Sequence, residues 1–323
     1  MTTLRRSLYL CLLFLGLCKG ALAQDYPDRL IRIIVPFPPG AVTDVVARLT
    51  ADFIRTKTNQ NVVVINTAGA AGNIGTREVA NAAPDGYTLA LIANSIMAIN
   101  PHVYKDMKFN PLSDLEPVAT IVDVPAVLVT NANSPYNDLS ELIKVARLKP
   151  GSLSYGSSGF GSPLHLGIHR LAHASQIELL HVPYTGAAQA IQDLVAGRID
   201  LMALGYGTVV ELVNGRKLKL LATATKTRLA ELPEVKTVEE IIGSPFEHSA
   251  WFGLAAPKAT PASVVGKLND LVRQMLLDPT ISGRFRTMHM VPMPTQPQEM
   301  RKLIEQEYGR WEDLIRVTKL RIP

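Results

Sequence analysis

The sequence predicts an α/β protein with two parallel sheets, and two observations lead to that fold class. Short apolar runs alternate along the chain with segments in which apolar residues recur every three or four positions, the spacing of a helix that buries one face. Loops rich in Gly, Pro and Ser separate the two kinds of segment, as in proteins where helices cover a parallel sheet. The chain has 323 residues, the length of about two domains at roughly 150 residues each.

The N-terminal part of the chain shows this alternation three times. The near-continuous apolar run at residues 30–35 is typical of a buried parallel strand. After a Pro-rich loop, an apolar stripe from Val42 to Phe53 lies on one face of a helix. The other elements predicted here are a strand at residues 62–65, a helix near residues 76–82 and a strand at residues 87–93.

The alternation resumes in the second half of the chain. Pro163 and Pro261 each suit the first turn of a helix, where the missing N–H costs nothing. The strands predicted in this half cover residues 126–130, 153–155, 177–182, 199–204 and 251–254. The helices cover residues 139–148, a segment from residue 163, residues 187–196, a segment from residue 261, and residues 297–319.

Residues 1–23 are predicted to be a secretory signal peptide. Arg5 and Arg6 precede an apolar run at residues 8–18, and a small-x-small cleavage site ends at Ala23. A transmembrane helix needs about 20 apolar residues, so this run is too short to cross a bilayer. A lipid anchor on Cys18 is the alternative, but the bulky Leu17 before it disfavours that reading.

Cleavage after Ala23 changes the charge of the chain. The formal net charge falls from +5 to +2, and both cysteines, Cys11 and Cys18, are removed. With 47% hydrophobic and 19% charged residues, the chain is too apolar to be disordered, and it can bury a core without disulfides. No basic run remains to bind nucleic acid, and no long apolar segment remains to enter a membrane. We expect an exported protein that is not membrane-embedded.

Three loops between a strand and a helix are candidates for binding a ligand. They cover residues 36–44, 156–163 and 183–187, and each combines Gly with small or hydroxyl residues before a helix N-terminus. Free N–H groups and the helix dipole favour an anion there. None of the three contains Arg or Lys, which favours a carboxylate over a phosphate-rich ligand. The alternative is that these residues only form turns and caps, with Ser162 capping the helix at Pro163.

Two motifs suggest cofactors, and neither is complete. Gly69, Gly72 and Gly75 follow a strand, but their spacing differs from a dinucleotide fingerprint and no acidic residue follows at the required distance. His165, His169 and His173 recur every four residues, but their predicted helix contains no Cys or acidic residue to complete a metal site. We therefore expect no cofactor and no metal, and we expect these histidines at the surface.

A serine hydrolase is also disfavoured. Gly156 and Ser158 begin a nucleophile-elbow pattern, but Phe160 stands where the last glycine is required. No Asp or His is placed by the sequence to complete a triad, and ordinary roles suffice for His165 and His181. We expect no catalytic residues and no enzymatic activity.

Six segments of the chain, taken together and in their order, carry a resemblance to a known family. They are VPFPPGAVTD (residues 35–44), GAAGNIG (69–75), PDGYTL (84–89), YGSSG (155–159), HVPYTG (181–186) and WFGL (251–254). These segments resemble the substrate-binding proteins of tripartite tricarboxylate transporters, the Bug-type periplasmic receptors. The resemblance covers essentially all of residues 25–323.

The resemblance implies a two-lobed periplasmic-binding-protein fold of the Venus-flytrap type, similar to type II. Each lobe would be a mixed, mostly parallel sheet flanked by helices. Lobe 1 would comprise residues 24–125 and 249–323, and lobe 2 residues 126–248, with crossings near Ala126 and Ser249. The ligand would lie in the cleft between the lobes.

The resemblance also implies ligand-binding residues on both lobes. On lobe 1 they are Phe37, Gly40, Ala41, Val42 and Thr43; on lobe 2 they are Ser157, Ser158, Gly161, Ser162 and Thr185. Two departures from the family pattern matter. Ala41 replaces a second glycine and would be strained if φ must be positive there. Residues 202–205 read MALG where the family usually has Met-Phe-Asp-Asn, which removes polar groups that could recognise an amino group.

These departures favour a monocarboxylate or dicarboxylate over an amino acid. We expect its apolar, possibly aromatic, body to rest near Phe37, Phe160 and Tyr206. The family implies a monomeric receptor in the periplasm that delivers this ligand to the permease subunits of a tripartite tricarboxylate-type transporter. Two alternatives stay open: a sensory partner that docks on a membrane receptor kinase, and a periplasmic hydrolase.

Overall fold

The computed structural model describes residues 26–318. The predicted signal peptide and its cleavage site lie outside the described residues, as does Lys319 at the end of the last predicted helix. The described strands are β1 Ile31–Val35, β2 Val62–Asn66, β3 Thr88–Ala93, β4 Leu115–Asn131, β5 Ser154–Ser157, β6 Leu180–Pro183, β7 Met202–Gly205, β8 Leu218–Thr223, β9 Ser249–Pro257 and β10 Val291–Pro292.

Helices connect most of these strands. They are α1 Val42–Thr58, α2 Asn73–Ala80, α3 Asn100–Val103, α4 Leu139–Leu148, α5 Pro163–Ser175, α6 Ala187–Val195, α7 Tyr206–Asn214, α8 Val238–Ile242, α9 Ala262–Leu277, α10 Pro279–Thr287 and α11 Pro297–Thr318. A 3-10 turn at Ala70–Gly72 precedes α2, and a π-helical turn at Ser95–Ile99 precedes α3. The predicted alternation is confirmed, and α4 and the start of α5 at Pro163 agree with their predicted positions.

The first lobe is built on a sheet with helices on both faces. Its strand order is β2-β1-β3-β9-β4-β10, in which β1 pairs in parallel with β2 and β3 while β9 is antiparallel to both β3 and β4. Consecutive strand residues point to opposite faces, so Ile33 packs with α1 and α9 while Ile34 packs with α2 and α11. Both faces of the sheet are therefore buried, which explains the near-continuous apolar run in β1.

The second lobe repeats this arrangement on a smaller scale. The last six residues of β4 pair antiparallel with β7 and β8, and β5 pairs in parallel with β6. A parallel bridge between Tyr155 and Leu201 joins β5 to the segment that leads into β7. Val127 and Leu128 point to opposite faces, one packed with α6 and α7 and the other with α4 and α5.

Strand β4 joins the two sheets. Its residues before Ala126 pair with β9, and those from Ala126 onward pair with β7 and β8. The fold is therefore two-lobed, and β9 returns beside β4 with Ser249 opposite Pro125. The predicted lobe boundaries at residues 126 and 249 stay a prediction.

One part of the predicted fold needs correction. We expected mostly parallel sheets, but among the described strands three pairings are parallel and five are antiparallel. The antiparallel pairings all involve β4, which belongs to both sheets, or β9, which lies beside β4 in the first sheet. A strand buried on both faces has the same apolar pattern in either direction, so the sequence could not show which way these strands run.

Next to the crossing strands, the lobes enclose a cavity of about 240 Å³ that contains buried carboxyl groups. Glu307 on α11 accepts a hydrogen bond from Trp251 Nε1 at 3.1 Å, while its other carboxyl oxygen is buried without a partner among the described residues. Burial raises the pKa of Glu307 to about 7 although the Trp251 bond opposes this. Burial likewise raises the pKa of Asp123 on β4 to about 6.

We predict that Glu307→Gln increases the free energy of unfolding above pH 7. The folded protein keeps a proton on Glu307 between its ordinary pKa of 4.5 and its raised value of about 7, whereas the unfolded chain releases it. Stability therefore falls as pH rises through this interval, by about 2–3 kcal/mol for a shift of this size. The amide cannot ionise, and its oxygen can still accept the Trp251 bond.

Urea denaturation at pH 5 and pH 8 measures this effect. Glu305→Gln, on the exposed side of the same helix, is the matched control. The prediction fails if the Glu307 variant loses as much stability between the two pH values as the wild type does.

Candidate ligand-binding site

The carboxyl ends of strands from both lobes face each other. Strands β1, β3 and β4 run in the same direction, because β3 and β4 are each antiparallel to β9 and β1 is parallel to β3. Strands β5, β6 and β7 run the opposite way, since β7 is antiparallel to β4 and the Tyr155–Leu201 bridge is parallel. The loops after β1, β5, β6 and β7 therefore border one cleft, as binding loops do in open α/β sheets. Every predicted site residue lies in one of these loops, at the helix start behind it or, for Ser157, at the end of β5.

The loop after β1 turns sharply at Gly40. This residue has φ +81°, and a Cβ there would meet no atom within 4 Å. Ala41 has φ −67° and ψ 161°, which any residue adopts, so the strain that a positive φ would have caused at Ala41 is absent. The one left-handed backbone conformation of this turn is adopted by Gly40, which has no Cβ to strain it.

A buried carboxylate beneath this loop fixes its shape. Asp44 Oδ2 accepts hydrogen bonds from Gly40 N and Arg48 Nε, each at 3.0 Å, and Oδ1 accepts one from Asn66 Nδ2 at 3.0 Å. Asn66 Nδ2 also donates to the carbonyl of Phe37 at 3.1 Å. The hydrogen bond from Arg48 lowers the pKa of Asp44 to about 2, so the carboxylate stays ionised near neutral pH. The sequence analysis missed this role of Asp44.

The start of α1 leaves donors free. Ala41 provides no side-chain cap, and none of the described residues accepts a hydrogen bond from the amides of Val42 and Thr43. Thr43 Oγ1 is buried and also lacks a partner among the described residues. The Val42 side chain is 39% exposed, whereas Phe37 is half-buried with its ring toward Gly72. An anion at this helix start would find unused amides.

The Ser-rich loop after β5 uses two of its three serines internally. Ser157 is fully buried, donates to Gly159 O at 3.0 Å and lies 2.6 Å from His181 Nε2. Ser162 Oγ accepts from the amide of His165 at 3.3 Å and donates to Gly159 O at 2.7 Å, so it caps α5. Ser158 is half-buried, and its hydroxyl makes no hydrogen bond to the described residues. Of the three hydroxyls, that of Ser158 is free to meet a ligand.

The histidines near this loop differ from the prediction. We expected His165 at the surface, but it is buried, and its ring stacks on that of His181 with centroids 4.0 Å apart. Gly161, at φ +72°, donates its N–H to His165 Nδ1 at 3.0 Å, so the buried nitrogen is satisfied. Apolar periodicity alone could not detect a buried face that includes a hydrogen-bonded imidazole. The more distal His169 is half-buried, while His173 is exposed as predicted.

Both stacked histidines are neutral near pH 7. Burial, followed by the neighbouring His181, lowers the pKa of His165 to about 3. Burial also lowers the pKa of His181 to about 4. Phe160 is 50% exposed and stands edge-on to His181, with ring centroids 4.9 Å apart. This side of the cleft therefore presents an aromatic edge and neutral donors rather than a positive charge.

The Ser157–His181 pair lacks the features of a catalytic serine. The serine hydroxyl is buried and hydrogen-bonded to Gly159, and His181 Nδ1 has no partner among the described residues. A triad needs a third group on that nitrogen to orient the imidazole. Within residues 26–318, no group of three or more His, Cys, Asp and Glu side chains is arranged to hold a metal ion.

The glycines at residues 69–75 have a packing role. A Cβ at Gly75 would lie 2.6 Å from the carbonyl oxygen of Thr67 and 3.1 Å from Pro36 Cα. A Cβ at Gly72 would clash with Ile96. These residues let the chain after β2 pack closely against the loop after β1, which accounts for them without a dinucleotide.

Thr185 and Tyr206, the remaining predicted site residues, follow β6 and β7 respectively. Thr185 is exposed just before α6, with Oγ1 2.9 Å from Gln189 Oε1, and Gly186 gives that helix no side-chain cap. Tyr206 is buried and stands edge-on to His289, with ring centroids 4.9 Å apart. The cavity of about 190 Å³ that Tyr206 lines is bounded by neither Phe37 nor Phe160. These three aromatic residues do not line one common cavity.

Apart from the cavity lined by Tyr206, a cleft of about 400 Å³ lies between the two lobes. It brings Gly40 and Val42 of the first loop opposite Gly207 and Thr208 of α7, and it continues to Met288 behind α10. Sequence reasoning named Tyr206 at the start of α7 but missed Gly207 and Thr208, because no loop signal separates this helix from β7. Among the described helices, none has the length and apolar character needed to span a membrane.

Comparisons with known proteins identify the family of this chain. The family model described as "Tripartite tricarboxylate transporter family receptor" matches residues 46–320. BugT of Bordetella pertussis is 33% identical over 304 residues, which cover 94% of this chain and 93% of BugT.

Two solved structures have the same fold at similar sequence identity. The structure of R. palustris Rpa4515 with adipate has a TM-score of 0.79 and 32% identity, and covers 90% of this chain and 98% of its own. The structure of MatC from Rhodopseudomonas palustris with bound malate has a TM-score of 0.75 and 30% identity, and covers 90% and 100%. Because the family model and BugT each match most of the chain, the chain belongs to the family of tripartite tricarboxylate transporter receptors.

Proposed function

We propose that this protein is a periplasmic solute-binding receptor that captures a small carboxylate between its lobes and delivers it to a tripartite tricarboxylate-type membrane transporter. The observation that carries the proposal is the set of neutral hydrogen-bonding groups at strand ends that point toward each other from the two lobes. The first lobe contributes the free amides of Val42 and Thr43, and the second contributes the free hydroxyl of Ser158 and the exposed hydroxyl of Thr185, which donates to Gln189 Oε1. The relatives solved with adipate and malate support a carboxylate as the ligand class.

The receptor would work by closing around its ligand. Each set of donors belongs to a different lobe, so a carboxylate can contact both sets only when the lobes approach each other. The ligand would then shift the open-to-closed equilibrium by its greater affinity for the closed form. The closed receptor would present a joint surface of both lobes to the permease and release its ligand unchanged.

We predict that small apolar carboxylates raise the melting temperature of the mature protein and that aspartate and glutamate do not. A true ligand at 100 times its Kd adds about 2.7 kcal/mol to the free energy of unfolding. Differential scanning fluorimetry with adipate, malate, butanoate, octanoate, aspartate and glutamate tests this. Stabilisation by the two amino acids alone would contradict the ligand class. Mass spectrometry of the incubated ligand would detect any turnover.

We predict that Ser158→Ala and Thr185→Ala each weaken carboxylate binding by about 1–2 kcal/mol, the contribution of a hydrogen bond to a charged group. Isothermal titration calorimetry with the tightest ligand of the panel measures the loss. Ser152→Ala and Thr56→Ala are matched controls, because both hydroxyls are exposed and bond only to a nearby carbonyl. Unchanged affinity in both site variants would remove these residues from the site.

A Ser162→Ala variant needs a stability measurement that the Ser158→Ala variant does not. Its hydroxyl caps α5, so replacing it by Ala would cost about 1 kcal/mol of stability whether or not it touches the ligand. Affinity in that variant is therefore interpretable only beside its free energy of unfolding.

We predict that the exported protein begins at Gln24. The signal sequence at residues 1–23 would direct export and be removed after Ala23. Intact-mass spectrometry of the periplasmic fraction measures the N-terminus, with the cytoplasmic fraction as control. A lipid-modified N-terminus at Cys18, or an uncleaved chain in the periplasm, would contradict the prediction.

A further inference from the structure

The interlobe cleft beside the first loop has mainly apolar walls. Its volume is about 400 Å³, and it lies between α1 of one lobe and α7 of the other. The apolar side chains that line it are Val42, Val45, Val124, Val210, Met288 and Met290. A cleft of this kind suits a small apolar group rather than a second charged one.

This cleft continues directly from the free amides of α1. Gly40 and Val42 belong both to the loop that offers those amides and to the cleft wall. Gly40 has no side chain to separate the two spaces, since a Cβ there would point into open space. Val45 lies one helical turn after Val42 on the same face. A carboxylate bound at the start of α1 can therefore extend its remaining atoms along α1 into the cleft.

The charges around the cleft disfavour a second carboxylate. Among the described residues that line it, none is Lys or Arg, and Glu211 on α7 is exposed and negative. His289 also lines the cleft, but its Nδ1 lies 2.6 Å from Glu231 Oε2. A second ligand carboxylate entering here would meet Glu211 without a cation to balance it.

We infer that this cleft is the subsite for the ligand tail and that the receptor selects monocarboxylates with an apolar tail over dicarboxylates of the same length. The inference rests on the proposed function, because it assumes that a carboxylate binds at the start of α1. In this subsite Glu211 excludes a distal carboxylate, and Val42 and Val45 form the apolar wall.

A titration series on the mature protein tests the subsite. The probes are butanoate, hexanoate and octanoate, compared with the dicarboxylates adipate and suberate, and the readout is Kd by calorimetry. Each methylene buried in the cleft should tighten the Kd of the monocarboxylates by about threefold to fourfold. Hexanoate should bind at least tenfold more tightly than adipate.

Charge reversal at Glu211 tests the selectivity. Glu211→Lys should tighten adipate and suberate at least tenfold more than it tightens butanoate, because only the dicarboxylates carry a second charge for the new cation to pair with. Glu178→Lys, exposed on the same lobe and outside the cleft, is the matched control. Glu211 is exposed, so the variant should fold, and circular dichroism checks this.

The outcomes separate the subsite from the proposed function. Carboxylates that bind with no dependence on chain length, or a Glu211→Lys variant with unchanged dicarboxylate affinity, would overturn the subsite and leave the receptor function in place. If no carboxylate binds the wild type, the proposed function fails, and the subsite fails with it.

Discussion

The continuity of β4 determines where a ligand can bind. Because one strand passes through both sheets, its direction sets the directions of all its partners in each lobe. In the first lobe, β1 and β3 run with β4, and in the second lobe, β7 runs against it. Their carboxyl ends, and the loops that follow them, must therefore meet at the level where β4 crosses. The cleft follows from strand direction and does not depend on any particular loop sequence.

Local signals in the sequence predicted much of the fold. Pro163 and the capping hydroxyl of Ser162 define the start of α5 through bonds within a few residues, and this start was predicted correctly. By contrast, α7 contains Thr208, Val209 and Val210, whose branched side chains favour strands, and it begins immediately after β7. It packs against β4 and β8, and these contacts between distant segments are not encoded in any local pattern. The first half of β4 was missed because Pro117 and Pro125 interrupt its apolar run.

The sequence predicted which loops form the candidate site, but it could not predict which of their hydroxyl groups are left without a hydrogen-bond partner. The sequence indicated Ser157, Ser158 and Ser162 as binding residues, with a capping role as the alternative for Ser162, and two of these hydroxyls are used by His181, Gly159 and α5. Ser162 is engaged by bonds within three residues, whereas Ser157 also contacts His181, which lies 24 positions away. Asp44 was overlooked for a related reason, since its partner Asn66 lies 22 positions away at the end of β2.

The ionisation states around the cleft have a consequence for transport at changing pH. Asp44 is ionised and His165 and His181 are neutral throughout the range from pH 5 to pH 8, because their pKa values lie at about 2, 3 and 4. These groups of the site therefore keep a constant charge while the external medium acidifies or becomes alkaline. Burial raises the pKa values of Asp123 and Glu307, beside the strands that connect the lobes, into that range. Acidity would thus act at the strands that connect the lobes, whereas the charges of Asp44, His165 and His181 at the strand ends remain the same.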